Sequence, residues 1–179
     1  MTALAGLWSR RGDTSEGPVG RMLDAQAIYG PEPAARRTLA GEGGTATLGR
    51  RLRSLLPEDD HDRGPILGGD DTLLLAADAR IDNREELADR LGIPPAELSR
   101  LPEPALLMAA VERWGVEGLA HVVGAWAVML WDGRCRTLTL ARDPLGERPL
   151  HYHRGDGFVA VASMPRGLHA LPEVPYAPS

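Results

Sequence analysis

At 179 residues, with 43% hydrophobic and 25% charged residues, the chain has the composition of one globular domain of ordinary size. A formal charge of −5 and a pI near 5.5 exclude a nucleic-acid binder working through a basic face. A single cysteine, Cys135, excludes an intramolecular disulfide framework and a multi-cysteine zinc site.

No run of residues has the apolar length of a bilayer span, and no basic segment followed by an apolar core opens the chain. A cytoplasmic location without a membrane partner is therefore expected. All the basic side chains are arginine, which we read as genome composition rather than function.

Residues 1–8 form a short apolar run and predict a buried strand. Residues 18–29 carry Val19, Met22, Leu23, Ala27 and Ile28 at helical spacing, and Gly30 and Pro31 end that helix. Residues 36–40 and 45–48 alternate like strands around a Gly41–Gly44 break, a hairpin signal. Residues 57–71 are rich in Asp, Gly and Pro and predict a surface loop, and 72–81 an apolar strand.

The stretch from Asp82 to Glu86 has the form of a reciprocal capping box. It opens a helix with Leu87 and Leu91 on one face and Gly92 as its stop. Residues 102–114 repeat the pattern with Leu107, Ala110, Val111 and Trp114, ended by Gly115. Short strands follow over 124–131, 137–141, 150–153 and 158–162, with turns at Asp132–Gly133 and over 143–146. Residues 164–171 predict one or two helical turns, and 172–179, with three prolines, a linker or frayed end. Segregated helices and hairpins give an α+β class with mostly antiparallel sheets.

Four stretches resemble the N-terminal class II glutamine amidotransferase domain of asparagine synthetases. Met1-Thr2-Ala3-Leu4-Ala5-Gly6-Leu7 resembles the family start Met-Cys-Gly-Ile-Ala-Gly, and Leu48-Gly49-Arg50-Arg51-Leu52 an arginine-containing strand near the glutamine site. Ala77-Asp78-Ala79-Arg80-Ile81-Asp82-Asn83 stands where most members read Asn-Gly-Glu-Ile-Tyr-Asn. The longest and most specific stretch runs from Glu112-Arg113-Trp114-Gly115 through Trp131-Asp132, Ala141-Arg142-Asp143-Pro144-Leu145-Gly146 and Arg148-Pro149-Leu150 to Tyr152. The form Ala-Arg-Ile-Asp-Asn-Arg-Glu-Glu-Leu from Ala79 is similar to the asparagine synthetase-related proteins that close the macrolactam ring of lasso peptides.

The resemblance implies a four-layer αββα sandwich of the N-terminal-nucleophile type over residues 1–171. Residues 172–179 would then be a tail or the start of a linker to a synthetase domain. It also implies a nucleophile at residue 2 once Met1 is removed, with its own α-amine as base. Here that position is Thr2, an alcohol in place of the family's thiol.

The family asparagine that donates to the oxyanion aligns with Asp78 and the following glycine with Ala79. The acidic residue that holds the substrate α-amine aligns near Glu103, and Arg51 stands in place to hold a carboxylate. An ionised Asp accepts hydrogen bonds and donates none, so hydrolysis is expected to be lost.

Asp143 with Arg142 reads as a turn-and-pairing element, and Cys135 as a packed or half-exposed thiol. His121, His151 and His153 read as strand surface or core residues rather than a metal site, and the four tryptophans as packing. Gly43–Gly44 and Gly68–Gly69 lack the flanking residues of a Ser-Gly-Gly-x-Asp-Ser phosphate loop. No cofactor is therefore expected in this chain, ATP and Mg being expected on a separate synthetase domain or chain.

Three readings remain open. The chain is a degenerate module docking a synthetase, an N-terminal-threonine amidohydrolase acting on glutamine, or a module that presents a precursor peptide.

Overall fold

The computed structural model describes residues 1–10, 12 and 16–176. Two antiparallel sheets form its centre. Sheet A contains β1 (Ala3–Ser9), β2 (Ala34–Gly41), β3 (Gly44–Arg51), β8 (His151–Gly155) and β9 (Phe158–Ala162), in the order β2-β3-β1-β9-β8. Sheet B contains β4 (Ile66–Gly68), β5 (Leu73–Ile81), β6 (Gly124–Asp132) and β7 (Thr137–Arg142), in the order β4-β5-β6-β7. The helices are α1 (Glu16–Ala25), α2 (Arg84–Leu91), α3 (Pro95–Leu98), α4 (Glu103–Trp114) and α5 (Pro165–Leu168).

Strand parity sorts the side chains into three apolar layers, because successive residues of a strand point to opposite faces. Leu4 and Leu48 of sheet A meet Leu74, Ala76 and Met129 of sheet B in the middle layer. Ala5, Ala160 and Ala162 point the other way and are covered by Val19, Met22 and Leu23 of α1 and Leu168 of α5. Leu75, Ala77 and Val128 point outward from sheet B under Leu87 of α2 and Leu106, Leu107 and Val111 of α4. The result is the αββα sandwich that the resemblance implied. Gly6 sets how closely the sheets approach. A Cβ there would lie 2.8 Å from Leu48 Cδ2 and 3.1 Å from Met129 Sδ of the facing sheet.

Several local expectations are corrected. Gly41 pairs with Gly44, so the hairpin turns on two residues rather than four. The first helix ends at Ala25, and irregular turns carry the chain to Tyr29. The expected loop over 57–71 contains a 3₁₀ turn (Pro57–His61) and β4, which pairs with β5. The capping box at α2 does not form. Instead Asn83 Nδ2 donates to His121 O at 3.0 Å and its Oδ1 accepts from the Val123 N–H at 2.9 Å. One amide thus satisfies two backbone groups of a neighbouring loop, which outweighs a cap within its own helix. The helix stop holds, since Gly92 adopts φ +74°.

The described part of the C-terminal segment lies on the domain. Val174 is buried in the layer beneath α1 and Tyr176 stacks on His169, while 177–179 lie outside the described residues. Cys135 is exposed. His121 sits edge-on to Trp114, and His153 on the edge strand β8 leans on Phe158 of the neighbouring β9.

Candidate active site

β1 delivers Thr2 to one end of the sandwich, and β5 delivers Asp78 to the same end. Asp78 shares the parity of Leu74 and Ala76, so it points between the sheets toward Thr2 rather than out to α4. The Thr2 backbone N–H donates to Asp78 Oδ1 at 3.0 Å, and both residues are buried. Ala79, Glu103 and Pro104 line the same small cavity of about 50 Å³, with Met1, Arg53 and Arg148. A buried water needs roughly 10–15 Å³, so the space holds about four waters. Two larger clefts, about 380 and 590 Å³, lie beside α4 and between α2 and α3 and are lined by none of these residues, although Arg84, the ion-pair partner of Glu103, lines the second.

Of the five positions singled out from the sequence, the fold thus gathers Thr2, Asp78, Ala79 and Glu103. It does not bring Arg51 with them. Arg51 is the outward-facing member of an adjacent arginine pair on β3. Its Nε donates to Gly30 O, in the segment after α1, at 2.9 Å, and its Nη1 pairs with Asp24 in the last turn of α1 at 3.2 Å. Arg50 takes the inward parity and pairs with Asp62.

The arginines that do line the cavity are Arg53, Arg148 and Arg80, the last with an exposed side chain whose Nε lies 3.8 Å from Asp82 Oδ1. Arg53 is anchored to Ile28 O and Tyr29 O and places its own backbone N–H 3.4 Å from Thr2 Oγ1. Arg148 Nε lies 3.8 Å from Asp78 Oδ2. Arg148 belongs to the longest resembling stretch, and nothing in that stretch's pattern marks it as a cavity residue.

Arg148 is placed by Asp143. That buried carboxylate accepts the backbone N–H groups of Trp126, Leu145, Glu147 and Arg148. Burial disfavours its charge, but these donors prevail and hold its pKa below the ordinary value. The turn expected at 143–146 is therefore a hydrogen-bonded hub.

Glu103 opens α4 and is committed to structure. Its Oε1 accepts the Ile81 N–H at 3.2 Å and its Oε2 takes Arg84 Nη1 at 2.7 Å. Arg84 in turn donates to Leu98 O and Leu101 O, which ties α2, α3 and α4 together. Burial raises the Glu103 pKa, against Arg84 and the Ile81 N–H. Burial also raises Asp78, opposed by Arg148, the Thr2 N–H and the terminal ammonium. The Met1 α-amine is pushed down by burial, with Arg148 and Arg53 acting in the same direction and Asp78 against them.

A second residue buried just ahead of the first strand, at the mouth of an antiparallel αββα sandwich, is the architecture of the N-terminal-nucleophile hydrolase class. The solved glutamine phosphoribosylpyrophosphate amidotransferase of Bacillus subtilis superposes on 94% of this chain and 43% of its own, with a TM-score of 0.70 and 16% identity, a likeness of fold. The family profile described as "Glutamine amidotransferase domain" matches residues 50–170.

A provisionally named asparagine synthetase (glutamine-hydrolyzing) of Mycobacterium tuberculosis is 28% identical over 97% of this chain and 28% of its own length. Asparagine synthetase (glutamine-hydrolyzing) 3 of Bacillus subtilis is 24% identical over 58% of this chain and 17% of its own. The chain belongs to the glutamine amidotransferase domain family, in its class II, asparagine synthetase-like form. It spans less than a third of the length of the curated relatives it matches.

Proposed function

We propose that this chain is a catalytically degenerate amidotransferase half of an ATP-dependent amide-forming synthetase, of the kind that closes lasso-peptide macrolactam rings. It keeps the sandwich and docks a synthetase domain or chain, which supplies the ATP and Mg chemistry, and it acts in the cytoplasm without hydrolysing glutamine.

The observation that carries this reading is the Thr2–Asp78 contact at 3.0 Å. A carboxylate stands where an amide should meet the developing oxyanion, beside an alcohol in place of a thiol. One lost oxyanion donor removes about 3–4 kcal/mol of transition-state stabilisation, and an ionised carboxylate adds repulsion to that loss. Thr2 Oγ1 has an Arg53 N–H beside it, and no histidine lines the cavity among the described residues. Its base would have to be its own α-amine.

The test is glutamate release from glutamine by the chain with Thr2 as its first residue. No turnover above background is expected. Turnover that Thr2→Ala abolishes would overturn the reading in favour of an N-terminal-threonine amidohydrolase. Co-purification with a synthetase chain is the matching positive test. Capture of a precursor peptide alone would move the assignment to a peptide-presenting module.

A further inference from the structure

In a chain that begins at Thr2, the nitrogen now donating to Asp78 Oδ1 becomes the terminal α-amine, at the same 3.0 Å. We propose that Asp78 is the counter-ion of that amine, holding it as an ammonium and so removing the base that Thr2 Oγ1 would need. This deepens the degenerate reading above and rests on it: Asp78 acts not only as a missing oxyanion donor but as a clamp on the proton acceptor. It is a positioning residue, acting through the amine.

The proton of the pair belongs on nitrogen. An α-amine and an aspartic acid differ by about four pH units in their unperturbed pKa values, so burial of the two groups, with Arg148 and Arg53 pressing on the amine, would together have to erase that whole gap before the neutral pair prevailed. An opposite charge at this range raises an amine by roughly one to three pH units.

The other charged groups around the cavity do not provide a competing anion for the amine. Glu103 is held by Arg84 and the Ile81 N–H, and Asp62 by Arg50. Asp59 accepts the N–H groups of Leu55 and Leu56. Arg148, 3.8 Å from the far oxygen of Asp78, and Arg53, whose N–H meets Thr2 Oγ1, both oppose a second positive charge. Asp78 is therefore the group that sets the direction, and Arg148 the group that weakens it.

The sequence makes the test selective. It contains no lysine, so the terminal α-amine is the chain's one primary amine. The full chain is prepared with Thr2 first and confirmed by intact mass. Its rate of acetylation by dilute acetic anhydride is then followed against pH as the mass shift of the N-terminal peptide after proteolysis, which sets aside acetylation of the exposed Cys135, Tyr152 and Tyr176, for wild type, Asp78→Asn and Arg148→Gln.

The Asp78→Asn profile is expected one to three pH units below wild type, and the Arg148→Gln profile above it. Superimposable wild-type and Asp78→Asn profiles would overturn the proposal. If Asp78→Asn proves misfolded by circular dichroism, an unshifted or lowered Arg148→Gln profile overturns it instead. Glutamine hydrolysis by the wild-type chain refutes the degenerate reading, a result separate from either labelling outcome.

Discussion

Arg50 and Asp62 form an ion pair sealed from solvent on both sides, Nη2 to Oδ1 2.5 Å, with side chains 5% and 3% exposed. It joins the inner face of β3 to the segment between the 3₁₀ turn and β4, immediately beneath the Thr2 cavity, which Asp62 also lines. Asp62 further accepts the Gly64 N–H at 2.9 Å, whereas Arg50 Nε has no partner among the described residues. Breaking one side of such a pair strands a charge in the interior and costs about 3–5 kcal/mol, while replacing both sides with apolar groups costs far less. Asp62→Ala is therefore expected to lose about 3–5 kcal/mol in urea unfolding, and Arg50→Met with Asp62→Leu to recover most of it. A double variant as unstable as the single one would show that the pair's value lies in its specific hydrogen bonds.

Asp143 places Arg148 by accepting four backbone N–H groups, three of them from the loop that follows it. Hydrogen bonds to a charged acceptor contribute about 1.5–3 kcal/mol each in favourable cases, though not additively. Asp143→Ala is expected to destabilise by about 3 kcal/mol and to free Leu145 to Arg148, seen as faster amide hydrogen exchange confined to those residues. Unchanged exchange there would mean that Pro144 and Pro149 alone hold the loop.

The register of the strands explains which parts of this site could be read from the chain. Thr2 and Asp78 converge through parity: Thr2 is two residues from Leu4 and Asp78 two from Ala76, so both take the face that looks between the sheets, although each strand reads as a continuous apolar run. Arg50 and Arg51 are neighbours on one strand and must face opposite sides. Resemblance singled out the second, whereas parity turns it to α1 and sends the first into the core.

Arg148 had no such signal, since a loop held by side chain-to-backbone bonds carries no period. β4 was hidden for a related reason. Its Ile66 and Leu67, bracketed by Gly64–Pro65 and Gly68–Gly69, sit among turn residues with too little alternation to register as a strand.

Gln26 is fully buried and bridges three elements. Its Nε2 donates to Leu4 O and Met22 O, and its Oε1 accepts the Met164 N–H. Gly167 of α5 packs directly on this amide, where a Cβ would fall 2.4 Å from Gln26 Nε2 and 2.9 Å from the Ala162 Cβ. Gly167→Ala must push the amide off its partners. Leaving buried backbone groups unpaired costs about 1–3 kcal/mol apiece, so both Gly167→Ala and Gln26→Leu are expected to lose at least about 2 kcal/mol. The combined variant should lose less than the sum, because each change removes the same bonds. Full additivity in chemical denaturation would separate the two effects.

The buried carboxyls give stability a pH dependence of two opposite signs. Burial raises Asp78 and Glu103 above their ordinary values of 3.8 and 4.5. The folded state therefore holds their protons more tightly than the unfolded chain does. Their contribution is fully present below the unfolded values and is lost as pH rises through the folded ones. Asp143 is lowered from 3.8, so its contribution is present above that value and is lost as pH falls through its lower folded value. Together they predict greatest stability at mildly acidic pH, with a decline on either side. Asp78→Asn removes one group from the neutral-side decline and should flatten it, and Asp143→Asn should flatten the acid-side decline while lowering stability throughout. Urea unfolding at a series of pH values between about 3 and 8 reads both slopes. Wild-type stability that climbs steadily from pH 4 to pH 7, with the same slope in Asp78→Asn, would mean that the Arg148 guanidinium and the terminal amine outweigh desolvation at Asp78 after all.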